Sequence, residues 1–98
     1  MSYAFYYDVP GDEHIYEKVK AEIGEERPKG LRLLLVVRGE SGGLRHFHVW
    51  ESRADWERFA EGRVQPAVAA VLAGMGLADP PPRPTETEME MVDLIATA

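Results

Sequence analysis

The run LRLLLVVR at residues 31–38 constrains this chain more than any other. It is β-branched and leucine-rich, and strand periodicity puts Leu31, Leu33, Leu35 and Val37 on one face with Leu34 and Val36 on the other. A strand that is apolar on both sides expects cover on both sides. Any fold proposed for the chain must therefore bury two faces of one sheet.

The neighbouring segments supply the rest of that sheet. YAFYYDV at 3–9 reads as a first strand, with Tyr3, Phe5 and Tyr7 opposite Ala4, Tyr6 and Asp8. Pro10-Gly11 ends it, and Asp12 is placed to cap a helix carrying Ile15, Tyr16, Val19 and Ile23 on one stripe. Gly24 and EERPKG stop that helix. The glycine-rich 39–43 segment joins the 31–38 strand to LRHFHVWE at 44–51 as a hairpin. On that return strand Leu44, His46, His48 and Trp50 share a face, opposite Arg45, Phe47, Val49 and Glu51. Ser52, with Asp55 three residues on, caps a second helix, whose apolar stripe runs from Trp56 to Met75. Pro66 should kink or split it. An extended connector at 79–84 leads to a last strand over 86–96, partly at an edge, whose Glu86, Glu88 and Glu90 read as a solvated face.

The order is β-α-β-β-α-β, an α+β, ferredoxin-like arrangement of a four-stranded antiparallel sheet with two helices on one face, in a single domain spanning 1–98. Two helices cover one face only. The other would be a large apolar patch, which soluble monomers avoid, so the pattern predicts a homodimer packed sheet to sheet.

Composition narrows the chemistry. The formal charge is −6, with Lys and Arg scattered, so phosphate-directed nucleic-acid binding is not expected. There is no cysteine, which removes thiolate nucleophiles, disulfides, iron–sulfur clusters and cysteine zinc sites. No apolar run approaches a membrane span, and the start lacks the pattern of a signal peptide, so a cytoplasmic location is expected. Gly39-x-x-Gly42-Gly43 lacks the Lys-Ser/Thr of a phosphate loop, no dinucleotide fingerprint exists, and no cofactor is expected.

The most chemical feature is His46-x-His48, two imidazoles on one strand face about 7 Å apart. Three roles are open to them. They can be hydrogen-bonded structural groups at the core or an interface. They can also be polar groups of a ligand site, since histidine titrates near neutrality. The third role is a metal pair, but Glu51 points the other way and no third ligand is placed, so no metal is expected. Trp50 shares their face and can wall a pocket. Tyr7 is the best placed of the four tyrosines to orient a ligand, whereas Tyr16 and Trp56 belong to helical core stripes. Ser41 and Ser52 have no Ser-His-Asp context.

Val49-Trp50-Glu51-Ser52, Trp56, Phe59 and Arg63-Val64-Gln65-Pro66-Ala67 follow a glycine turn, in a pattern that resembles the dimeric α/β-barrel superfamily. Within it the chain is most similar to small bacterial proteins related to the antibiotic biosynthesis monooxygenase-like group. The resemblance implies a homodimer whose two sheets form one barrel. It also implies relatives that oxidise polyketide quinones without a cofactor, bind or degrade haem, or isomerise or cyclise small ring compounds. The quinone-oxidising and haem-degrading members usually rely on an asparagine, and this chain has none. The expectation is a small-molecule-binding protein, monooxygenase-like or isomerase-like, taking an apolar or aromatic ligand at His46, His48, Trp50 and Tyr7. The alternative is a non-catalytic interaction or regulatory homodimer whose histidines are structural.

Overall fold

The computed structural model describes residues 2–11, 13–40, 42–76 and 83–95. The elements are β1 (Tyr3–Val9), α1 (Glu13–Ile23), β2 (Leu31–Arg38), β3 (Leu44–Trp50), α2 (Arg53–Phe59), a π-helical turn (Ala60–Val64), α3 (Gln65–Gly74) and β4 (Thr87–Met89). The expected cap Asp12 and most of the 79–84 connector lie outside the described residues. The sheet runs β2-β3-β1-β4, all antiparallel, which is the ferredoxin-like order. Among the described residues no helix is long and apolar enough to cross a membrane.

The register fixes the faces. Tyr3, Phe5 and Tyr7 lie opposite Trp50, His48 and His46, so these six side chains share one face. The ring contacts to the helices fall on that side: Phe5, Tyr7, His48 and Trp50 meet Trp56, and His46 meets Tyr16. The buried cluster is Phe5, Trp50, Trp56 and Ala60. The opposite face carries Ala4, Tyr6, Phe47, Val49, Leu33, Leu35 and Val37, and among the described residues none of its rings meets a helix.

β2 departs from the expected alternation. A bulge between Leu31 and Leu33 pairs Leu31 with Trp50, so Leu31 joins the helix-covered face while Leu33, Leu35 and Val37 keep the other. β2 is also an edge strand, and within one chain it is not covered: Leu35 is 50% exposed and Leu34 42%. The last strand is shorter than the 86–96 segment predicts. Among the described residues only Thr87–Met89 pair with β1, and beyond them Val92 and Ile95 project into solvent.

The second helix starts as expected. Ser52 Oγ accepts from the Asp55 amide at 3.1 Å and donates to the Asp55 carboxylate at 3.0 Å. The break expected at Pro66 comes slightly earlier. The π turn at Ala60–Val64 widens the helix, and α3 then restarts with Pro66 in its first turn, where a missing N–H costs nothing.

Candidate functional site

The four residues singled out from sequence stand together on β1 and β3. Tyr7 stacks on His46 at 4.8 Å between ring centroids, Phe5 stacks on His48 at 4.8 Å, and the two imidazoles are 6.3 Å apart. Trp50 follows at 6.2 Å from His48, nearly parallel to it. From the helix side, Trp56 closes the row at 4.8 Å from His48. Every second residue of two paired strands thus contributes one ring, producing a layer of aromatic faces between sheet and helices.

One hydrogen bond sets the chemistry of that layer. The Trp50 indole N–H donates to His48 Nδ1 at 3.0 Å. Indole is a donor only, so Nδ1 must be the accepting nitrogen, and the proton of neutral His48 sits on Nε2. Nε2 is buried and has no hydrogen-bond partner among the described residues. The result is a fixed tautomer whose N–H faces apolar surroundings, an arrangement that costs free energy unless something accepts that proton.

Both histidines are held neutral. Burial pushes His46 down to about 4, opposed weakly by the nearby Asp8 carboxylate. Burial pushes His48 down to about 3, with the neighbouring His46 adding to the shift. Neither is a base of useful strength near neutrality. Each can still act through a hydrogen bond, because a neutral imidazole offers one donor and one acceptor. Burial also raises Tyr7 above the usual phenol range, so its hydroxyl stays protonated. Asp8 faces away, on the helix-free side, where Arg45 grips its carboxylate at 2.8 and 3.0 Å and holds it below the usual carboxylate range. Among the described residues no three His, Asp or Glu side chains gather as they would around a metal.

The layer is tightly closed. Trp50 and Phe5 are fully buried, and His48 is 3% exposed. Two open concavities lie at its ends. One, of about 610 Å³, is bounded by Asp8–Gly11 and by Gly39, Gly42 and Gly43. The other is an open groove of about 650 Å³ beside Tyr3, Arg53, Glu57, Arg83 and Glu86.

That groove corrects the reading of Glu86 as solvated. Its carboxylate accepts from the Trp56 indole N–H at 2.9 Å, the Tyr3 hydroxyl at 3.1 Å and Arg83 at 2.7 Å. Desolvation, reinforced by Glu86, raises Tyr3 to about 12. No local pattern marks Glu86. The only sequence signal is the Trp56 indole N–H on a buried stripe, which needs an acceptor from elsewhere in the chain.

No family model matches the chain, and no curated protein matches it. Solved structures do. A "putative antibiotic biosynthesis monooxygenase" from Deinococcus radiodurans superposes with a TM-score of 0.56 at 19% identity, over 100% of this chain and 99% of that one. A protein from Chloroflexus aurantiacus J-10-fl described in the same words gives 0.56 and 19%, over 98% and 100%. At that identity the likeness is one of fold. End to end, the chain has the ferredoxin-like α+β fold of these two proteins.

Proposed function

We propose that the protein binds a small aromatic or apolar molecule between its sheet and its helices, as a monooxygenase-like or isomerase-like homodimer without a resident cofactor. The observation that carries this reading is the buried Nε2–H of His48, which has no partner among the described residues and lies among aromatic faces. Such a donor suits a ligand carbonyl or phenolic oxygen. In a dry site it would stabilise negative charge developing on that oxygen, as an enol or phenol does when it loses its proton. Neutrality suits the role, because the imidazole acts as a fixed electrophile and not as a base. Trp50 and Tyr7 would wall the ligand, and His46 would supply a second polar contact. The comparison proteins, named as monooxygenases, lend the reaction class by analogy only.

The homodimer rests on the bare sheet face. On it Leu35 and Val37 are exposed and Tyr6, Phe47 and Leu33 half-buried, with no ring contact to a helix among the described residues, and a second copy offers the same surface in return. Sedimentation should give twice the 11.0 kDa chain mass, and the double variant Leu35→Lys, Val37→Lys should sediment as a monomer.

Closure of the ring layer favours a second reading, in which the histidines are structural and the homodimer is a non-catalytic interaction or regulatory protein. Two measurements separate the readings. Native mass spectrometry of gently purified protein looks for a retained small molecule. Calorimetric titration with 2-naphthol compares wild type with His48→Gln. Retained mass, or binding weakened about tenfold by His48→Gln at unchanged dimer mass, supports the site. A bare dimer that gives no heat with 2-naphthol supports the second reading.

A further inference from the structure

The groove at the end of the ring layer holds a cluster that the proposed site does not use. Arg83 reaches both oxygens of Glu57, at 3.0 and 3.2 Å, and one oxygen of Glu86 at 2.7 Å. Its guanidinium also lies 5.5 Å from the Trp56 ring centre. Glu86 in turn holds the Trp56 indole N–H and the Tyr3 hydroxyl. Trp56 is the ring that covers His48 and Phe5 from the helix side. One short segment therefore fixes the helix wall of the ring layer to its sheet wall.

We infer that Arg83 and Glu86 form a latch that holds Trp56 over His48, and that its release opens the layer from this end. Several features make it a latch more than a permanent staple. The Arg83 side chain is 30% exposed and that of Glu57 31%, so water reaches their ion pair, while Glu86 is the more buried partner at 14%. The segment continues into β4, which has only three laddered residues at the sheet edge, the sort of element that opens at low free energy. On the helix side, Trp56 stands one turn before the π segment and Phe59 directly before it, where the α-helical hydrogen-bond pattern changes. Glu86 is thus a positioning residue, acting through Trp56, and Arg83 positions Glu86. The part of this inference that concerns ligand entry rests on the site proposed above; the latch itself does not.

The chain's two tryptophans allow a test without any ligand. In ¹⁵N-labelled full-length protein, the two indole N–H signals report separately, Trp56 on its bond to Glu86 and Trp50 on its bond to His48. Solvent exchange of each is measured in wild type, Arg83→Leu and Glu86→Gln. The latch predicts that both variants speed Trp56 exchange by about tenfold or more, while Trp50, held by His48 beneath Trp56, rises by a clearly smaller factor. Unchanged Trp56 exchange overturns it, and so does an equal rise at both indoles, which would report general loosening. Arg83→Leu leaves the buried carboxylate in place, so the test survives if Glu86→Gln folds poorly. Association of 2-naphthol is then followed in wild type and Arg83→Leu, with faster association expected in the variant. Selective Trp56 exchange with no 2-naphthol binding by wild type supports the latch and counts against the ligand site.

Discussion

Removing the two buried imidazoles should flatten the acid limb of the protein's stability. Unfolded, each histidine takes up a proton near pH 6.5; folded, His46 resists until about 4 and His48 until about 3. Between those limits the unfolded chain holds more protons than the folded one, so stability rises with pH and falls on acidification. The loss starts near pH 6.5 and continues down to about 4 for His46 and about 3 for His48. At 1.36 kcal/mol per unit, the shifts correspond to roughly 3 kcal/mol for His46 and roughly 5 for His48. Together they rival the 5–15 kcal/mol that typically holds a domain folded, so acid unfolding should set in above pH 4.

The slope is the sharper quantity. In mid-window each histidine contributes about 1.4 kcal/mol per pH unit, and the pair about 2.7. Urea unfolding followed by tryptophan fluorescence suits the measurement, because Trp50 and Trp56 are both buried. Curves at pH 7.5, 6.5, 5.5 and 4.5, at one protein concentration, compare wild type with His46→Gln/His48→Gln. Glutamine can still accept the Trp50 indole N–H. Carboxylate contributions are common to both proteins and cancel. The double variant should lose about 2–3 kcal/mol per pH unit less than wild type between pH 5.5 and 4.5, and each single variant about half of that. Slopes agreeing within about 0.5 kcal/mol per pH unit would refute burial as the cause of the shifts.

Three further substitutions test the frame around the site. Ser52→Ala removes the acceptor of the Asp55 amide and should cost about 1 kcal/mol by urea unfolding, with Ser52→Asn restoring most of it. Gly30→Ala should cost about 1–3 kcal/mol by the same assay, since φ is +88° and a Cβ would run into the Asp55 carboxylate. Asp8→Ala removes the Arg45 pair, whose members are 60% and 41% exposed, and should leave the urea midpoint nearly unchanged, because water and salt screen such a pair.

Much of this was legible in the sequence. Alternation in YAFYYDV and LRHFHVW put Tyr7, His46, His48 and Trp50 on common faces, and pairing of β1 with β3 merged those faces into one. The features that were not legible depend on contacts between distant residues. The β2 bulge at Arg32 carries no glycine or proline to announce it, yet it moves Leu31 to the opposite face. β4 ends at Met89, opposite Ala4, although β1 begins one residue earlier at Tyr3 and the residues beyond Met89 still read as strand; no local pattern announces that end. Glu86 looks like its neighbours Glu88 and Glu90 until Trp56, thirty residues earlier, points an indole N–H at it.

Two long-range hydrogen bonds and one short-range bond thereby share a purpose. Trp50 fixes which nitrogen of His48 carries the proton, Glu86 fixes the ring that covers it, and Tyr3 ties Glu86 to the sheet. Burial then removes the basicity of His48 while leaving its N–H in place. In a purely structural role His48 would answer the Trp50 indole N–H, as a phenylalanine could not, but its own Nε2–H would have no acceptor among the described residues. The cost of the orphan N–H is the physical reason for preferring a ligand oxygen opposite Nε2 over a purely structural role.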